Sequence, residues 1–128
     1  MTPIPQHINS IGTQIIGAAI QVHKTLGPGL LERIYEVCLA HELRKLNLKV
    51  DRQLHLPIVY DGITFEEGLR LDLLVENEVI CELKAVEQMN DLWKAQLLSH
   101  LKLTNKRLGY LINFNVPVLR QGITRIVN

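Results

Sequence analysis

Asp72, Glu82 and Lys84 are the residues of this chain whose types and spacing could do chemistry together. Leu69, Leu71, Leu73 and Val75 form an apolar period-2 face, and so do Val79, Cys81, Leu83 and Ala85; Glu76-Asn77-Glu78 between them reads as a turn. For both apolar faces to lie on one side of a hairpin, paired residue numbers must sum to an even value, because a slip of one residue turns every side chain over. Centring the turn on Asn77 sets Leu71 against Leu83 and Leu73 against Cys81. On the other side Asp72 then faces Glu82, and Arg70 faces Lys84.

Directly opposed side chains in an antiparallel pair have Cβ atoms about 5 Å apart, so this register opposes like charges. Diagonal pairing of Arg70 and Lys84 with the acids relieves some of the repulsion. A divalent cation between Asp72 and Glu82 relieves more. Mg²⁺ takes hard oxygen ligands and keeps several waters, which two carboxylates, water and a substrate phosphate can supply. Lys84, two residues after Glu82, projects from the same face, where an ammonium can hold a water and offset charge building on a phosphate. That is a site for phosphodiester hydrolysis. A surface ion-pair cluster on an amphipathic hairpin satisfies the same pattern, since one-sided polar faces are normal in antiparallel sheets.

The elements that must carry these residues follow from periodicity. Ile8, Ile11, Ile15, Ala19, Val22 and Leu26 predict a helix over about 8–25, which Gly27-Pro28-Gly29 ends. A second helix is expected over about 30–47, on which Glu32, Tyr35 and Leu39 share one stripe. Glu32 falls in its first turn, where free amides favour an acid. Tyr35 reads as a core residue with its hydroxyl at the rim. Strands are expected over about 53–60, 69–75 and 79–85, a third helix over about 91–103, then strands over about 108–114 and 122–127. The order is α-α-β-β-β-α-β-β, a mixed α/β domain.

The 128 residues, 47% hydrophobic and 21% charged, suit one domain over 1–128 and argue against disorder. No apolar run approaches the roughly 20 residues of a membrane span, and the start lacks a signal-peptide pattern, so no membrane partner and a cytoplasmic location are expected. Cys38 and Cys81 read as buried free thiols, and the spacing of the five histidines fits no zinc site. The net charge of +1 hides an asymmetry: residues 92–128 hold six basic residues and no acid. A basic segment beside an acidic one could set a polyanion against a metal site, and a solvated helix face reads the same way.

The stretch from Val22 to Tyr35, VHKTLGPGLLERIY, resembles the signature of the GxxExxY proteins, with Gly29, Glu32 and Tyr35 at the named positions. The resemblance continues through Arg70–Glu76, Glu82–Ala85, Gln96 and Leu111–Phe114. That family is grouped with the PD-(D/E)XK nuclease superfamily. The resemblance implies a restriction-endonuclease-like core, a mixed central sheet flanked by helices. It implies that Asp72 and Glu82 are the metal-binding acids, with Lys84 completing the E-x-K element. Glu32 would be the helical acid of the metal site, and the Leu83 carbonyl a further ligand. Gln96 matches the glutamine of the Q-x-x-x-Y element. The chain departs from the pattern at Leu71, where proline is frequent, and at His100, where tyrosine would follow Gln96; a histidine can still contact phosphate.

The expected function is that of a nuclease cutting phosphodiester bonds with Mg²⁺ or Mn²⁺. Arg70, Gln96, His100 and Lys94 would contact nucleic acid, DNA ahead of RNA. A homodimer is expected where both strands are cut, since one site cuts one strand. The alternative is a catalytically idle module of the same fold that binds nucleic acid or a protein partner. A purely structural ion cluster would bind neither Mg²⁺ nor Mn²⁺.

Overall fold

Ile8, Ile11, Ile15, Ala19 and Val22, spaced as one face of a helix, are all buried along α1 (Gln6–Leu26) in the computed structural model, which describes residues 2–128. Gly27 ends α1 with φ of +70°, and Gly29 follows at +97°, a left-handed pair that side chains rarely adopt. α2 (Glu32–Lys45) then buries Tyr35, Leu39, Ala40 and Leu43. Strands β1 (Val50–Tyr60), β2 (Ile63–Val75) and β3 (Val79–Lys84) follow, then α3 (Asp91–Thr104), β4 (Leu108–Asn113), a 3₁₀ turn at Leu119–Gly122 and β5 (Ile123–Val127). The element order is the expected one. β1 begins at Val50, ahead of the expected start, and ends at Tyr60 as expected, whereas β2 begins at Ile63 rather than Leu69, because its first residues form one side of an exposed hairpin arm with Val59, Tyr60, Ile63 and Phe65 in solvent.

The five strands lie in the order β1-β2-β3-β4-β5. All neighbours are antiparallel except β3 and β4, the pair that α3 connects. A parallel pair needs such a crossover and is covered on both faces, and all six residues of β4 are buried.

Two apolar layers clamp the sheet. On one face α1 and α2 pack on Leu73, Val75, Cys81, Leu83, Tyr110 and Ile112. On the other, Leu97 and Leu101 of α3 pack on Leu71, Leu74, Ile80 and Leu111. Leu71 therefore leaves the face of Leu73 that strict alternation gave it. The cause is visible in β1: the β1–β2 register skips the Gln53–Asp72 pair, and Gln53 has φ of +50°. Arg52 reaches toward α2, while Leu54 packs in the α3 layer. Both strands turn over at this point, and Asp72 sits on it.

Both cysteines are free. Among the described residues, no helix is long and apolar enough to cross a membrane.

Candidate active site

The β2–β3 ladder pairs Val75 with Val79, Leu74 with Ile80 and Leu73 with Cys81, in the expected register, and stops there. The opposition of Asp72 to Glu82 and of Arg70 to Lys84 is thus not a ladder pairing. Instead Asp72 Oδ2 accepts the Leu83 amide at 2.9 Å. β3 stays paired with β4 as far as Lys84 and Asn113. The strands fork, and a carboxylate takes the place of the next main-chain partner.

Asp72 is only 2% exposed. A buried carboxylate without partners is costly, and this one has several. Arg70 Nη1 donates to Oδ1 at 2.9 Å along its own strand, rather than pairing diagonally with Glu82 on β3. Gln53 Nε2 lies 3.5 Å from the same oxygen. Gln53 also accepts from Arg70 and donates to Glu36, and Arg52 donates twice to Glu36 Oε2, at 3.2 and 3.0 Å. Glu36 is itself buried on α2. A continuous polar chain therefore runs from α2 through β1 to Asp72. It also holds Gln53 in its left-handed conformation, which for a non-glycine residue costs about 1–3 kcal/mol. Sequence reasoning singled out neither Gln53, Glu36 nor Arg52.

Glu82 and Lys84 point toward α3. The Lys84 ammonium stands 4.4 Å from the centre of the Trp93 ring, a cation–π contact, and has no carboxylate within salt-bridge reach among the described residues. Asn113, buried beside Lys84, accepts from the Val86 amide at 3.1 Å and donates to the Val86 carbonyl at 2.9 Å, pinning the chain just past the lysine. Glu82 is mostly buried, with His100 Nδ1 3.8 Å from its Oε1. That gap is too long for a hydrogen bond, and both atoms are buried without a partner among the described residues. Burial pushes the Glu82 carboxyl up to about 7; the Asp72 charge adds to this, and His100 opposes it.

Glu32 begins α2 at the rim of the same cluster. Partial burial and the Asp72 charge raise its pKa, while Lys84 pulls the other way. Tyr35, fully buried, sets this helix start. Its ring stacks on Phe114 with centroids 4.5 Å apart, its hydroxyl donates to the Gly27 carbonyl at 2.6 Å, and it accepts the Leu30 amide at 3.1 Å. The spacing of Gly29, Glu32 and Tyr35 thus has a physical reading: a left-handed turn, an acid in the first helical turn, and a latch one turn on. Tyr35→Phe keeps the stacking and loses the latch. It is expected to lower stability by about 1–2 kcal/mol in urea denaturation, the order of one or two buried hydrogen bonds.

On α3, Lys94 and Gln96 are exposed, whereas His100 is 8% exposed and faces Glu82 rather than solvent. The Asp72 charge reaches Glu82, and Glu32 at the rim feels both Asp72 and Lys84; Arg70 joins through Asp72, and the Leu83 backbone is held against Asp72. Among the described residues, no three His, Cys, Asp or Glu side chains are gathered as a metal cage. Two buried strand carboxylates nevertheless suit a hard divalent cation, which commonly takes one or two carboxylates and leaves its other positions to water and phosphate.

The Glu82 proton sets a pH dependence. An acid whose folded pKa is raised keeps its proton after the unfolded chain has released it, so the folded state binds more protons between the two values. Stability of the metal-free protein is expected to fall as pH rises from about 4.5 to about 7 and to level off above that. Glu82→Gln should flatten this slope, by at most about one proton per molecule. Thermal midpoints of the two proteins in EDTA across that range check it.

A family model described as the PD-(D/E)XK nuclease superfamily matches residues 9–126. No curated protein and no solved structure matches the chain.

Proposed function

Because the chain belongs to the PD-(D/E)XK nuclease superfamily, we propose that it is a Mg²⁺- or Mn²⁺-dependent nuclease whose one domain, residues 1–128, hydrolyses phosphodiester bonds of nucleic acid at the β2–β3 fork. The observation that carries this is the buried pair of acids there: Asp72, 2% exposed, beside Glu82, whose carboxyl is raised to about 7 by burial and the Asp72 charge. Two acids held this close out of water disfavour each other's charge, and a bound cation would relieve that.

Asp72, Glu82 and the Leu83 carbonyl would hold the cation, which when bound neutralises phosphate charge and makes water a better nucleophile near neutral pH. Lys84 orients the attacking water and offsets charge gathering on the phosphate oxygens; its contact with Trp93 keeps the ammonium extended and free of competing carboxylates. Arg70 holds Asp72 and, being half-exposed, presents its remaining donors to the substrate. Glu32, at the start of α2 and within reach of the Asp72 charge, would complete the metal site from the helix. Lys94 and Gln96, exposed on α3, bind the flanking phosphates, DNA ahead of RNA.

The test is cleavage of end-labelled single- and double-stranded DNA and RNA with Mg²⁺, Mn²⁺ or EDTA. Products formed with either metal and absent in EDTA are expected. Equal cleavage in EDTA, or none on any of the four substrates, contradicts the proposal.

A further inference from the structure

We infer that His100 is a positioning residue of the cation site: in the loaded protein its Nδ1–H takes Glu82 Oε1, leaving Oε2 as the single oxygen offered to the cation. This rests on the proposed metal-dependent reading of the site.

Two buried polar atoms without partners face each other here, His100 Nδ1 and Glu82 Oε1, 3.8 Å apart. Buried polar atoms are nearly always hydrogen-bonded, so an orphaned pair asks for an explanation. Among the described residues neither atom has another partner, and the gap is about 1 Å longer than an N–H···O bond. A small rotation of the Glu82 side chain closes it.

The histidine has little room to move: it is buried on the inner side of α3, where its helix neighbours Leu97 and Leu101 are fully buried. The carboxylate is the partner that adjusts. A ring 8% exposed behind Glu82 is also poorly placed to meet a phosphate, the role its position after Gln96 suggested. Its action runs through the acid. A carboxylate can offer a cation one oxygen or both; tying Oε1 to a rigid donor selects one and fixes its direction. Hydrogen bonds from outside to a ligating side chain commonly change metal affinity 10–100-fold.

The experiment is calorimetric Mn²⁺ titration of the wild-type protein, Asp72→Ala, His100→Phe and His100→Asn. His100→Phe is expected to bind Mn²⁺ about 10–100-fold more weakly. His100→Asn, whose amide nitrogen occupies the place of Nδ1, should recover most of the loss, a rescue that mere filling of the core would not give. Wild-type affinity in His100→Phe, with binding lost in Asp72→Ala, overturns the role of His100 and leaves the metal site standing. Equal binding by wild type and Asp72→Ala overturns the metal site and the inference with it. Should His100→Phe fail to fold, ¹⁵N-histidine NMR of the wild-type protein decides: Mg²⁺ should move the His100 Nδ1–H resonance downfield and protect it from exchange, and an unchanged resonance overturns the inference.

Discussion

Asp72→Asn is expected to lower metal-dependent cleavage by about 10³-fold or more, the scale on which removing one charge-stabilising group slows an enzyme. The substitution isolates charge from architecture. An asparagine side-chain oxygen can still accept the Leu83 amide that closes the fork. What is lost is the negative charge toward the cation and the pair with Arg70. Because Arg70 is half-exposed, that pair is worth at most about 1 kcal/mol. Removing a like charge beside Glu82 compensates in part and should weaken the pH dependence of metal-free stability. Asp72→Ala is the harsher change, since it leaves a buried amide without an acceptor at a cost of about 1–3 kcal/mol. Single-turnover cleavage together with thermal midpoints separates the two effects. An Asp72→Asn protein that folds and cuts at the wild-type rate contradicts the assignment.

Lys84→Met should slow cleavage by about 10²–10³-fold while leaving Mn²⁺ affinity unchanged or slightly tighter. Methionine keeps an apolar stem against Trp93 and removes the ammonium. A cation taken from beside two acids makes the site more attractive to metal, not less. Lys84→Arg should not restore the rate, because a planar guanidinium does not replace a compact ammonium. Cleavage and metal binding lost in parallel would show that Lys84 holds the site together rather than serving the reaction.

The chain announces its elements where one face of a helix or strand is buried. The α1 face from Ile8 to Val22 is read from period alone, and the Leu73–Cys81 register from period together with a turn centred on Asn77, because a slip in either exposes the core. The β2 half of the exposed hairpin arm left no signal, since Ile63–Gly68 carries no buried face to leave a pattern, while the β1 half falls within the strand expected over about 53–60. The clustering of Asp72, Glu82 and Lys84 was legible because all three flank one short turn. The fork was not. Pattern reasoning continues a ladder until a breaker appears, and here a side chain, Asp72, replaces the main-chain partner without any glycine or proline to mark it.

The network behind Asp72 was hidden for a different reason. Glu36, Arg52 and Gln53 come from α2 and β1, and their meeting depends on a positive φ at Gln53 that no composition signal announces. His100 left a usable clue. It follows Trp93 and Leu97 at helical spacing and precedes Thr104, so it belongs to the inner stripe of α3, not to an outer face from which it would contact nucleic acid.

The most direct test of the central claim is an anomalous-difference map from crystals of the wild-type protein grown with Mn²⁺. A peak coordinated by Asp72, Glu82 and the Leu83 carbonyl, absent from crystals of Asp72→Asn, is the expected result. Well-ordered crystals with no peak at the fork, or with manganese bound only elsewhere, would contradict the account.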